Sequence, residues 1–268
     1  MSRCYVQLGK LGDVLNILPL LLEDRINGHK PSLLVCKEYA SILDGCSYVN
    51  PAIFDGELFQ IASAIGEARK LSDDIKVCQV IGPRREVLEH VYKLQGVNQT
   101  VTDSFQQESW RLAGRKQSDW ERQLPLVFDK RDTEIEAALI AKHIAKRKRT
   151  LLVNFKGLSS PFPFSDLIAE LVRLKLSKEF KIVDLSEIQS EHFYDLLGLY
   201  ENAHALISVD TATIHLAHAC PKLPVIALTK DTPNYWHGSA WRPQHACYMR
   251  YGDFPSHWRE LFEAVGEI

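Results

Sequence analysis

Apolar, strand-like runs in this chain stop at short polar turns and resume as apolar, helix-like stretches, and that alternation leaves few folds open. One such junction is Ala205–Val209 running into Asp210-Thr211-Ala212-Thr213 and then Ile214-His215-Leu216-Ala217. Another is Tyr5–Leu8 running into Gly9-Lys10-Leu11-Gly12-Asp13 and then an apolar stretch through Leu21. Strand-then-helix repeats point to parallel βαβ units with right-handed crossovers. In open sheets of that kind ligands sit outside the carboxyl ends of the strands, where both junctions fall.

The start of a helix leaves backbone N–H groups unpaired and carries about half a positive charge. The turn at Asp210–Thr213 is therefore a candidate phosphate site, with Thr211 and Thr213 adding hydroxyl donors. An ordinary N-cap is the alternative, because Asp and Thr are favoured there without any ligand. At the other junction Gly9 and Gly12 suit a tight turn and close approach to a ligand. The G-x-x-G-D spacing lacks the third glycine of the dinucleotide fingerprint, which argues against a nicotinamide site. Pro19 is expected in the first helical turn, where its missing N–H costs little, or else to kink the helix.

Along the first half, strands are expected at Cys4–Leu8, Ser32–Val35, Tyr48–Phe54 and Ile75–Ile81, with helices at Val14–Ile26, Glu57–Lys70 and Arg85–Leu94. The pattern blurs from Arg84 to Arg131, and Asp132–Arg149 reads as a charged bridging helix. The second half gives strands at Thr150–Asn154, Phe180–Asp184, Ala205–Val209 and, last, Pro224–Leu228. Its helices are expected at Phe164–Leu176, His192–Asn202, after Asp210, and at Ser256–Val265, the last packing back on the first domain. A length of 268 residues accommodates two domains of the usual ~100–150 residues.

A hydrophobic share of 46% with 25% charged residues is that of a globular protein. The formal charge of −2 exerts no general pull on nucleic acid, membrane or acidic substrates. No apolar run is long enough to span a bilayer, and Met1 leads straight into a strand without a secretory leader. The six cysteines (Cys4, Cys36, Cys46, Cys78, Cys220 and Cys247) form no C-x-x-C pair, so neither a zinc site nor a disulfide framework is expected. These features together point to a reduced, cytoplasmic protein.

The two anchors, LGKLGDVLNILPL (Leu8–Leu20) and SVDTATIHLAHACPKLPVIAL (Ser208–Leu228), together resemble glycosyltransferase family 9, the ADP-heptose:lipopolysaccharide heptosyltransferases and their relatives. Weaker likeness covers Trp110–Gly114 and Pro125–Phe128. The resemblance implies an α/β fold of two Rossmann-like domains facing a cleft, the GT-B arrangement. Residues 1–149 would then bind the acceptor and residues 150–268 the nucleotide sugar. It also implies an inverting transfer that needs no metal or other cofactor, and the absence of an Asp-x-Asp motif agrees with that.

Such a transfer needs a base for the acceptor hydroxyl and positive or dipolar groups for the departing diphosphate. Asp13 is the candidate base, with helix capping as its alternative role, and Lys10 a candidate contact to sugar or diphosphate. Thr211, Ala212 and Thr213 would hold phosphate; Ala212 stands where the family has glycine in D-T-G. Lys156, Ser159 and Ser160 match the family's phosphate-facing loop only loosely, and a Ser-Ser-Pro turn would look the same. His215 falls on the D-T-x-x-x-H position, and without a third ligand the His215/His218 pair is a poor metal site. Asp231 and Thr232 follow the last expected strand, near the nucleotide.

The aromatic group Tyr235, Trp236, His237, Trp241 and Tyr251 suits stacking on a base or sugar, or filling a core. The basic run from Lys142 to Arg149 is a solvated helix end, or a contact to a polyanion. A saccharide acceptor is therefore expected ahead of a hydroxymethylated base in DNA, and a sugar-nucleotide binder without catalysis is the remaining alternative.

Overall fold

The computed structural model describes residues 2–58, 60–78, 105–115, 124–158, 160–230 and 246–267. The chain divides into two compact units, one formed by residues 1–130 with 234–240 and the other by residues 131–233 with 241–268.

The first unit carries a four-stranded parallel sheet in the order β3-β2-β1-β4. Its strands are β1 (Ser2–Val6), β2 (Lys30–Cys36), β3 (Asn50–Phe54) and β4 (Ile75–Val77). Helix α1 (Leu11–Ile26) follows β1, and α2 (Ile61–Arg69) packs on β1 and β4. Cys4, Val6, Leu8, Leu34, Phe54, Ile61 and Val77 close one core against the sheet. The chain leaves β1 between β2 and β4, and the strand order reverses there, so the carboxyl end of β1 is a switch point with a ready crevice.

The far end of α1 is tied down by buried charge. Asp24 accepts hydrogen bonds from Tyr5 (2.6 Å), Arg3 (2.9 Å) and Arg115 (2.7 Å). Arg115 also pairs with Glu23 at 3.0 Å. A carboxylate taken out of water is tolerated only when its lone pairs are met in this way. Helix α3 (Phe105–Leu112), unforeseen in the sequence, braces α1 through Trp110, whose indole N–H donates to the Asn16 carbonyl at 2.9 Å.

Pro19 lies in the middle of α1 and not in its first turn. Proline cannot donate to the carbonyl four residues back. A buried run from Val14 to Leu21 against the sheet outweighs that cost and keeps the helix continuous.

The second unit holds a five-stranded parallel sheet in the order β6-β5-β7-β8-β9. The strands are β5 (Arg149–Asn154), β6 (Phe180–Asp184), β7 (Ala205–Val209), β8 (Val225–Thr229) and β9 (Ala246–Arg250). Here the switch point falls between β5 and β7, with Asn154 paired to Ser208 at the carboxyl edge. Helix α4 (Thr133–His143) opens the unit with Asp132 as N-cap and packs on a later helix, α6 (Leu197–Asn202). It ends at His143 and does not run on to Arg149, because Arg149 and Thr150 begin β5. Arg131 clamps that packing, bonding both oxygens of the buried Glu136 (2.5 and 2.7 Å) and of Glu201 (2.5 and 2.8 Å).

Helix α5 (Ser165–Leu176) crosses from β5 to β6. The stretch expected as one helix from His192 starts as a 3-10 turn, Phe193–Leu196, before α6. Helix α7 (Ala212–Ala217) follows β7. Pro224–Leu228 is not the final strand, since β9 adds to the edge beyond it. The closing helix α8 (Phe254–Glu267) buries Phe254, Leu261 and Val265 in the second unit's own core with Phe162, Ile207 and Leu228. Among the described residues no helix is long and apolar enough to cross a membrane.

Candidate active site

In the first unit the turn after β1 is built by a buried polar residue. Gln7 is fully buried; its carbonyl oxygen accepts from the Gly9 N–H (2.9 Å) and its amide donates to the Cys78 carbonyl (3.2 Å). Those bonds tie the ends of β1 and β4 together and fold the backbone into α1. Asp13 then reaches back from the first turn of α1, where its Oδ2 accepts from the Lys10 N–H at 2.8 Å. Acid in that position also complements the helix dipole. A Cβ on Gly9 would stand 2.7 Å from Asp13 Cβ and Cγ, so only glycine leaves room for the carboxylate to turn in. Gly12 is already the second residue of α1, which leaves Gly9 as the one glycine of this turn.

Beside this turn lies a cavity of about 600 Å³ at the carboxyl ends of β1, β2 and β3. Lys10 forms one part of its rim, and the segments Cys36–Tyr39 and Phe54–Leu58 form the rest. Burial and the neighbouring Glu38 push the Tyr39 hydroxyl up to about 12, and the Asp13 charge acts in the same direction. Tyr39 therefore stays a neutral donor at physiological pH.

In the second unit the corresponding edge is organised by Asn154, the last residue of β5. Its amide nitrogen donates to Thr213 Oγ1 (2.7 Å) and to Thr211 Oγ1 (3.2 Å), while its oxygen accepts from the Lys156 N–H at 3.2 Å. The bond from Lys156 fixes which end of the amide faces the threonines. Thr211 caps α7 by accepting from the Thr213 N–H (3.3 Å). Each hydroxyl oxygen is thus an acceptor within the protein, in bonds that do not use its own proton.

Gly157 keeps the neighbouring loop tight against this turn. A Cβ there would meet the Ser160 carbonyl at 2.9 Å and Thr211 Cγ2 at 3.2 Å. Tyr200 steadies the other side by donating to the Thr213 carbonyl at 3.2 Å.

Asp210 is buried, and burial raises its pKa above the ordinary carboxylate value, with the nearby His215 pulling it partly back. Tyr251 donates to the Ser160 carbonyl at 2.9 Å and lies 4.8 Å from the Phe162 ring. Burial pushes its phenol up to about 12, with the Asp210 charge adding to the effect. Of the aromatic group, Tyr251 belongs to this core and the other members lie outside the described residues.

The second sheet thus brings together Asp210, Thr211, Ala212, Thr213 and His215 with the loop carrying Lys156 and Ser160. Gly9, Lys10 and Asp13 gather at the first. Ser159, Asp231 and Thr232 lie outside the described residues, as does the helix expected over Arg85–Leu94. His218 stacks edge-on to His215 at 6.1 Å. Among the described residues no group of three His, Cys, Asp or Glu side chains could hold a metal ion.

Asn154, Gly157, Gln7 and Tyr39 were not singled out by the sequence. Asn154 and Gln7 share a sequence signal, a carboxamide directly after an apolar strand segment, at the last position of β5 and just past the end of β1.

No protein-family profile and no curated protein sequence matches the chain. Solved structures do. A glycosyl transferase of family 9 from Veillonella parvula superimposes with a TM-score of 0.64 over 97% of this chain and 88% of its own, at 11% identity. The fold is that of the family 9 glycosyltransferases. The ADP-heptose lipopolysaccharide heptosyltransferase II of E. coli gives a TM-score of 0.63 at 12% identity, covering 99% of this chain and 98% of that one. The E. coli heptosyltransferase WaaC, solved with ADP-2-deoxy-2-fluoro heptose, gives 0.58 at 14% identity, covering 98% and 99%. The fold expected from the two anchors is borne out in its two parallel α/β sheets, and the family 9 fold spans almost the whole chain.

Proposed function

We propose that this chain is an inverting, metal-independent glycosyltransferase of the family 9 type, with a GT-B arrangement of its two units. The first unit would take the acceptor, and the second, which begins at Arg131, would bind a nucleotide-diphosphate sugar. The observation that carries this reading is the Asn154 amide, which donates to both the Thr211 and Thr213 hydroxyl oxygens at the switch point of the second sheet and leaves their protons out of those bonds. A diphosphate there meets two hydroxyl donors and the backbone N–H groups at the start of α7. That helix has only six residues, so the hydroxyls supply more of the stabilisation than its dipole does.

In the reaction, the Asp13 carboxylate takes the proton of the acceptor hydroxyl. The oxygen attacks the anomeric carbon from the face opposite the diphosphate, the bond from that carbon to the phosphate oxygen breaks, and configuration inverts. Charge growing on the departing nucleoside diphosphate falls on Thr211, Thr213 and Lys156. Ala212 is compatible with this role, since its methyl group leaves the backbone N–H in place.

A second reading follows from one bond: Asp13 already caps α1 through the Lys10 N–H. A binding protein without catalysis needs Asp13 for nothing more. Transfer to a DNA base is disfavoured by position. Arg149 begins β5 at the amino edge of the sheet, opposite Asn154, and the run is partly engaged there. Arg149 pairs with Glu179 (3.3 Å) and covers the Phe180 ring (4.4 Å), and Lys148 donates to the Ser177 carbonyl (3.2 Å).

A donor-hydrolysis screen across ADP-, UDP- and GDP-sugars tests the enzyme reading. Slow release of nucleoside diphosphate from one class supports it. Tight binding of a nucleotide sugar without turnover, with or without saccharide acceptors, would favour the binder.

A further inference from the structure

The cavity beside Asp13 has a composition of its own. Its charged rim carries three carboxylates, Glu38, Asp55 and Glu57, against two ammonium groups, Lys10 and Lys37. Glu38, Asp55 and Glu57 are exposed, and Glu38 is also hydrogen-bonded to Tyr39. Asp13 stands on the turn that supplies Lys10 and adds a fourth acid to this edge of the sheet. Between the charges the lining turns apolar, with the buried Phe54 ring and the half-buried Tyr39.

Each part of that lining has a chemical consequence. A volume near 600 Å³ lies in the range of small-molecule sites and holds one or two sugar rings. Aromatic faces accept the C–H face of a pyranose. Carboxylates accept hydrogen bonds from hydroxyl and ammonium groups but have none to give. With three carboxylates against two ammonium groups the rim is net negative, so an acidic sugar or a sugar phosphate meets net repulsion and an ammonium group net attraction.

We infer that this cavity selects an amine-bearing saccharide as acceptor and discriminates against acidic ones. The assignment of the cavity to the acceptor rests on the transferase reading above; the charge selectivity rests on the cavity itself. A single close charge contact near a protein surface is worth on the order of tenfold in affinity. The preference should shrink as salt screens the exposed carboxylates.

The test is binding of three matched disaccharides to the full chain, without any nucleotide sugar, followed by calorimetry or ligand-observed NMR. One carries a free 2-amino group, one the same group acetylated, and one a uronic acid. The amine form should bind about tenfold more tightly than the acid form at 50 mM salt. The gap should fall below threefold in the double variant Asp55→Asn/Glu57→Gln, both exposed positions where folding is unaffected. Three results overturn the inference: an acid form that binds as well as the amine, a gap that survives the double variant, or no binding of any of the three. Because no donor is present, these outcomes are separate from the donor-hydrolysis screen. A chain that consumes donor yet shows no amine preference sinks the selectivity and leaves the transferase reading standing. A chain that prefers the amine form but hydrolyses no donor does the reverse.

Discussion

Asp13 is where capping and base catalysis can be pulled apart, because the two roles ask different things of the same carboxylate. As a cap it presents one oxygen to the Lys10 N–H at 2.8 Å, and an amide oxygen in Asp13→Asn can accept that bond equally well. The asparagine loses only the attraction of a negative charge for the helix start, about 0.3–1 kcal/mol. Asp13→Ala loses that and the hydrogen bond, a further ~0.5–1.5 kcal/mol. At roughly 2–4 °C for each kcal/mol, the alanine variant should melt a few degrees below the asparagine variant. As a base, by contrast, the side chain is lost equally in both. Turnover should fall by about 10²–10⁴-fold in each, with donor affinity nearly unchanged. Melting curves, donor titrations and nucleotide release measured on the same preparations decide the matter. If Asp13→Asn keeps turnover within threefold while Asp13→Ala loses it in step with its melting temperature, Asp13 is a cap and the proposed mechanism is wrong.

Asn154→Asp should weaken nucleoside diphosphate binding at least tenfold (an estimate from the loss of charge-assisted bonds), because the threonine hydroxyls would turn inward to donate to the new carboxylate; calorimetry showing unchanged affinity contradicts this. Asp210, with its pKa raised by burial, binds protons more readily folded than unfolded. Folding stability from this group is therefore present at low pH and declines as pH rises above the ordinary carboxylate value near 3.8. Asp210→Asn should remove that decline in urea titrations run from pH 4 to 7, and an identical slope in the variant would exclude Asp210 as its source. Burial pushes the Cys4 thiol up to about 11 and those of Cys46 and Cys220 to about 12, with Cys78 higher still. Iodoacetamide at pH 8 should leave all four unmodified in the folded protein and label them in urea, as read by peptide mass spectrometry; rapid labelling of native Cys78 would contradict the burial. Transfer should persist in excess EDTA, and activity lost on chelation and restored by a divalent ion would defeat the metal-independent mechanism.

The sequence was most legible where one physical signal acted alone. Strands Phe180–Asp184 and Ala205–Val209 are mostly apolar runs between turn residues, and both keep the bounds expected of them. Legibility failed where tertiary contacts outweighed local preference. Pro19 is a helix breaker by its own chemistry, yet the buried face of α1 carries the helix through it. Helix α3 is short and polar, and its place follows from Trp110 finding a carbonyl on α1, a partner 94 residues away. The basic run looked like one helix because charge pattern does not register where a strand must begin; pairing of Arg149 with Phe180 sets that boundary.

In the candidate site the threonines and Asp13 announced themselves as junction residues. Asn154 did not, because its importance lies in the direction its amide points, which Lys156 fixes from two residues on.

The anchoring of Asp24 has a mechanical consequence. Eleven helical steps lead from Asp13 to Asp24, about 16 Å at 1.5 Å per step. An α-helix resists compression along its axis, so α1 acts as a strut with its foot fixed by Arg3, Tyr5 and Arg115. A slip of that foot is delivered nearly undiminished to the tip, and a misplacement of about 1 Å at a reacting centre can cost a hundredfold in rate. Residues on the opposite rim of the sheet, remote from any substrate, thereby set where the carboxylate of Asp13 stands.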